Sequence, residues 1–143
     1  MKIKQISIFL ENKQGRLAAV TKLLAEEGVN IRALSIADTS DFGILRLIVN
    51  EPDKAYKVLK EQGFTVSMTE VIGVAMSDEP GGLAGVMEIL EKRQVNIEYL
   101  YAFVGSAYED ALVIFRVENI DDAIKVLQEK GVNILKGEEI YAL

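Results

Sequence analysis

The stretch Ser77-Asp78-Glu79-Pro80-Gly81-Gly82-Leu83 carries the residue types best suited to holding a small ligand. An alternating apolar run (Ile72, Val74, Met76) precedes it, and a helical stripe (Leu83, Val86, Leu90) follows. The spacing predicts a strand-to-helix elbow, where a chain presents backbone N–H groups that have no intrahelical acceptor. Pro80 suits the approach to a helix through its fixed φ, and Gly81 and Gly82 have no Cβ to keep a ligand away. Sixty-six residues earlier, Glu11-Asn12-Lys13-Gln14-Gly15-Arg16-Leu17 repeats the elbow with Gln14 in place of the proline. Fifteen residues after Gly15 and Gly81 stand Asn30 and Asn96, each within Val-Asn-Ile. A helix N-terminus favours a carboxylate, and a side-chain amide can accept from an ammonium and donate to an oxygen. Those are the two handles of a free amino acid. A tight turn explains one Gly-Gly, and asparagine suits the turn after a helix. Repetition of both at a fixed spacing favours a binding role.

Other chemistries lack their residues. The 143-residue chain has no histidine and no cysteine, so Ser-His-Asp and Cys-His nucleophiles, disulfides and thiol chemistry are excluded. Neither glycine elbow continues into the Gly-Lys-Ser/Thr of a phosphate loop, and a dinucleotide fingerprint is missing as well. Glu26, Glu27 and Glu91 read as solvated helix faces rather than an acid–base pair. No catalytic residue, metal site or cofactor is expected. The net charge is −6 without a Lys/Arg cluster, which speaks against a nucleic-acid surface. No apolar run approaches the length of a membrane span, and Met1-Lys2-Ile3-Lys4-Gln5 lacks a secretory core. The expectation is a soluble, cytoplasmic protein.

The elements that position the elbows are written twice. At the 66-residue offset Leu17, Ala18, Val20, Leu24 and Val29-Asn30-Ile31 recur as Leu83, Ala84, Val86, Leu90 and Val95-Asn96-Ile97. After two extra residues near Gly105 to Tyr108, Val49, Asp53, Ala55, Val58-Leu59 and Gly63 recur as Val117, Asp121, Ala123, Val126-Leu127 and Gly131. Within the first copy Ile6, Ile8 and Leu10 mark a strand, and Leu17, Val20 and Leu24 mark a helix ended by Gly28. Ile31 to Ala37 forms a second strand, closed by a turn at Asp38-Thr39-Ser40-Asp41, and Leu45, Leu47 and Val49 form a third. Pro52 opens a helix with Ala55, Val58 and Leu59 inward, Gly63 stops it, and Phe64, Val66 and Met68 begin a fourth strand. The order is βαββαβ, the ferredoxin-like pattern, in units of residues 1–70 and 71–143. The run from Phe64 to Ser77 carries one unit into the next without a linker, so the units should pack on each other.

The pattern Asp78-x-Pro80-Gly81-x-Leu83 followed by Val95-Asn96-Ile97, on such a unit, resembles the ACT domain, a family of amino-acid-sensing regulatory modules. The resemblance covers the whole chain, twice, and its first copy departs at Asn12 and Gln14. It implies an α+β fold whose two units lie side by side in one antiparallel eight-stranded sheet with helices on one face. It implies a ligand at the seam, with Asn12, Gln14, Gly15, Arg16 and Leu17 facing Asn96 and Ile97, and Asp78, Pro80, Gly81, Gly82 and Leu83 facing Asn30 and Ile31. The partners it implies are a free amino acid and an enzyme of amino-acid metabolism. The alternative is a docking subunit with no ligand of its own. Ala33, Ser35 and Ala37 answer to Tyr99, Tyr101 and Phe103, rings that either fill one seam or pack against a core or partner. Ile44, Ile48, Leu112 and Ile114 lie opposite the helix-covered face, and left open to water that patch implies a homodimer.

Overall fold

Period-two alternation buries Ile6, Ile8 and Leu10 along β1 (Ile3–Glu11), and a 3.6-residue stripe buries Val20 and Leu24 on α1 (Arg16–Glu26). A computed structural model describes residues 1–38, 41–104 and 109–143 of the chain. β2 (Ile31–Asp38), β3 (Phe42–Val49) and α2 (Pro52–Glu61) complete the first copy up to β4 (Thr65–Met76). The second copy continues with α3 (Gly82–Lys92), β5 (Ile97–Ala102), β6 (Ala111–Val117), α4 (Ile120–Glu129) and β7 (Asn133–Leu135). A short α5 (Gly137–Tyr141) closes the chain. Parts of the expected turn at Asp38 to Asp41, and the two-residue insertion near Gly105 to Tyr108, lie outside the described residues.

The sheet has seven strands, not eight, in the order β2-β3-β1-β4-β6-β5, with β7 also paired to β4. The difference has one cause. The last strand of the first copy and the first strand of the second are a single uninterrupted strand, β4. Its residues up to Val71 pair with β1, and from Ile72 onward it pairs with β6 and, at Gly73 to Ala75, with β7. The expected boundary between residues 70 and 71 lies inside β4, one residue before its partners change.

The sheet also curls. Its terminal strands β2 and β5 meet through an antiparallel bridge, Ala33 to Phe103, and the N–H of Val104 donates to the carbonyl of Arg32 at 3.0 Å. Right-handed twist accumulated over six strands makes such closure accessible. The α1–α2 layer covers a core containing Ile8, Leu24, Leu47 and Leu59, and α3–α4 cover another containing Val74, Leu90, Phe115 and Leu127. A third core fills the concave face between them, with Ile3, Ile48, Val71, Tyr101, Ile114, Leu135 and Ile140. The helix-free face, expected to meet water, is therefore turned inward by the curl. Ile48, Leu112 and Ile114 are buried inside the curl, and the open patch that implied a homodimer does not exist as such.

Candidate functional site

Both elbows begin with a glycine in the left-handed region, Gly15 at φ 88° and Gly81 at φ 92°. Nothing lies within 4 Å of where a Cβ would stand at either, so conformation rather than space demands glycine there. Neither helix receives a side-chain cap. In α1 the Arg16 N–H reaches back to the Lys13 carbonyl at 3.3 Å, and in α3 the Gly82 N–H reaches the Glu79 carbonyl at 3.0 Å. Among the described residues, no group accepts from the N–H of Leu17 and Ala18, or of Leu83 and Ala84. α4 differs: Asn119 Oδ1 accepts from the Asp122 N–H at 3.1 Å. The two elbow helices thus keep outward-facing donors and the positive end of the helix dipole uncompensated.

The elbows are not equivalent. The first opens a cavity of about 240 Å³ between Asn12, Lys13, Arg16 and Leu17 of the elbow and Ile36, Asp38 and Gly43 of β2 and β3. Glu11 lines it too, held by Lys13 Nζ at 2.8 Å and Arg16 at 4.0 Å. The hydrogen bond from Lys13, then its charge, lowers the Glu11 pKa below its ordinary value. In the second elbow Gly82 replaces Arg16, because a Cβ there would run into the Ser77 carbonyl. Asp78, Pro80, Gly81 and Leu83 are exposed around that tight turn.

The structure brings Asn12, Arg16 and Leu17 together with residues of their own unit. Gln14 and Gly15 are exposed in the loop beside them. Asn96 lines a different cavity, of about 550 Å³, with Asn119, Asp121 and Asp122 at the start of α4. Asn30 is bonded through its backbone to Asn50: its N–H donates to the side-chain Oδ1 of Asn50 at 2.8 Å, and its carbonyl accepts from the Asn50 N–H at 3.1 Å. Ile31 and Ile97, half-buried, pack on the first and second helix-covered cores.

A polar network that single-strand patterning did not signal lies on the concave face. Gln5 is fully buried, and its Nε2 donates to Tyr99 Oη at 2.8 Å and to Ser7 Oγ at 3.1 Å. Tyr101 Oη donates to Gln5 Oε1 at 2.7 Å, and burial raises the Tyr101 pKa well above the ordinary phenol value. The guanidinium of Arg46 lies 3.7 Å from the centre of the Tyr99 ring. The rings of β5 thus pack into the concave core, which settles the choice left open by their sequence.

A sequence model of the family described as an ACT domain pair matches residues 1–143. The chain belongs to the ACT domain pair family. The family is one of regulatory domains, typically amino-acid-binding. This ACT pair is similar to protein BT0572 from Bacteroides thetaiotaomicron, with 49% identity, 100% of this chain and 98% of that one covered, and a TM-score of 0.94. The regulatory subunits of aspartate kinase from Thermus thermophilus (ligand free form) and Thermus flavus share its fold at 16% and 15% identity. Their TM-scores are 0.62 and 0.59, and each alignment covers 88% of this chain and 90% of the other. No curated protein matches the sequence. No helix among the described residues is long and apolar enough to cross a membrane.

Proposed function

We propose that this ACT pair is a non-catalytic sensor that binds a free amino acid and passes its occupancy to a cytoplasmic enzyme of amino-acid metabolism. The observation that carries the reading is the first elbow. There a left-handed Gly15 starts an uncapped helix beside a cavity that holds both charges. In this reading the ligand carboxylate takes the N–H groups of Leu17 and Ala18 and the Arg16 guanidinium, while Asp38 and Asn12 take the ammonium. The ligand side chain lies along Leu17 and Ile36. Charge-assisted hydrogen bonds contribute about 1.5–3 kcal/mol each, which against the cost of association corresponds to affinities of roughly micromolar to millimolar.

The twin seams keep a part in the proposal. Asn96 and Ile97 reach the first elbow by extension of the β2–β5 pairing beyond its single bridge, and that extension is the response a partner enzyme reads. Asn30 and Ile31 stand in the same relation to Asp78, Pro80, Gly81, Gly82 and Leu83. Neither a metal nor a cofactor has a role in this scheme.

Isothermal titration with the twenty amino acids tests it. One of them should release or absorb heat with saturation, and Arg16→Gln should weaken that binding about 10-fold or more. Silence from all twenty removes the ligand. The second reading, a docking subunit without a ligand, draws on exposed apolar side chains at the edges of the seam, Leu34 and Ile36 on β2 and Leu100 on β5. Recovery of an amino-acid metabolism enzyme by the ligand-free protein favours it.

A further inference from the structure

The concave face holds a second cavity, of about 300 Å³, lined by Ser7, Phe9, Ile44, Arg46, Thr65, Val66, Ser67 and Tyr99. Strand register arranges its wall in two rows. Arg46, Ser7 and Ser67 are direct cross-strand neighbours on β3, β1 and β4, and Ile44, Phe9 and Thr65 form the next row toward the open end. The first row is polar and cationic. The second is largely apolar and runs on to the stacked rings of Phe9 and Phe42, 4.9 Å apart.

The hydrogen-bond inventory of the polar row has a sign. Gln5 Nε2 spends its two hydrogens on Ser7 Oγ and Tyr99 Oη. Both hydroxyls therefore accept from Gln5 and keep their own hydrogens to donate. Arg46 makes no ion pair among the described residues, whereas Arg16, Arg93 and Arg116 each face a carboxylate. Its contact is the Tyr99 ring, which leaves the edge of the guanidinium free to donate. No aspartate or glutamate lines the cavity. The wall offers donors and one positive charge but no anion to meet an ammonium, the opposite of the first elbow with Glu11 and Asp38.

We infer that this concave cavity binds a small monocarboxylate with a hydrocarbon or aryl tail and no amino group, its head on Arg46, Ser7 and Ser67 and its tail on Ile44 and Phe9. The site is separate from the elbows, and its ligand differs from an amino acid by the one group for which the cavity offers no anion. The Arg46 charge repels an ammonium and no carboxylate in the wall compensates it, so the cavity discriminates by charge rather than by tail shape.

The test compares isocaproate with leucine, which has the same hydrocarbon tail and an added ammonium, by amide shifts of the isotope-labelled protein. Isocaproate should shift Ser7, Arg46 and Ser67 with saturation at millimolar concentration, and leucine should leave them unmoved. Arg46→Gln should raise the apparent Kd about 10-fold or more. Ser67→Leu, an exposed position, should abolish the shifts by filling the cavity while Arg46 stays in place. Absence of saturable shifts up to about 10 mM isocaproate, equal response to leucine at these residues, or unchanged affinity in both variants overturns the inference. Shifts confined to Leu17 and Ala18 also overturn it, and would leave the reading of the elbow intact.

Discussion

Gln5 is the one polar side chain among the described residues counted with the buried core, and its amide is satisfied by three hydroxyls from β1 and β5. Tyr101→Phe removes the donor to Gln5 Oε1 and strands a buried carbonyl, which should cost about 1–3 kcal/mol of unfolding free energy at neutral pH. The pH dependence has a definite sign. The folded-state phenol pKa is raised by burial, so the folded protein binds more protons than the unfolded chain once pH exceeds about 10. Stability from Tyr101 is complete below that value and falls as pH rises past it. Denaturant titrations should therefore show the gap between wild type and Tyr101→Phe shrinking above about pH 10. A constant gap would mean that Tyr101 ionises freely in the fold. At this scale the elbow was legible because glycine recurs at both left-handed positions. Gln5 was not: a glutamine between Lys4 and Ile6, on the face opposite Ile6 and Ile8, reads as facing water until the sheet is known to curl.

At the scale of elements, the periodicities of α1 to α4 and of the long strands were enough to place them, since each runs for at least two turns or pleats. β7 and α5 are too short, at 3 and 5 residues, to show a period. The strand count differed by one because the run through Val71 contains no breaker, and β4 crosses from one unit to the next without a turn. Where it crosses, Gly73 admits the close approach of two side chains: a Cβ would stand 2.8 Å from Ile140 Cδ1 and 2.9 Å from Ile3 Cδ1. Gly73→Ala should therefore destabilise by about 1–3 kcal/mol through overpacking. Ile140→Val removes one of the clashing methyls, so the double variant should be less destabilised than the sum of the single changes. Simple additivity in chemical denaturation would show that α5 does not press on β4. The candidate cavity of the first elbow was only half legible, since Ile36, Asp38 and Gly43 reach it through strand pairing rather than sequence proximity.

For the whole molecule, the decisive event is closure of the sheet, which no local pattern encodes. Ile48 and Ile114 alternate correctly, and alternation states which residues share a face without stating whether that face meets solvent. Curling turns the shared face into a third core that draws on β1, β2, β3, β4, β5, β6, β7 and α5. Each unit alone is near the size where one core is marginal, so the common core should make unfolding one event. Calorimetry is expected to show a single transition whose calorimetric and van't Hoff enthalpies agree; two resolved transitions would mean the halves melt separately.

β4 gives this duplication a property that tethered pairs do not have. A pair joined by a flexible tether can trade partners with its neighbours, each half docking on a half from another copy. Here one unbroken strand is hydrogen-bonded to β1 up to Val71 and to β6 from Ile72, so an exchange between copies would have to bend a continuous strand between those residues and open the shared third core. The molecule has no severable waist, and its internal twofold partnership is written into the chain rather than left to concentration.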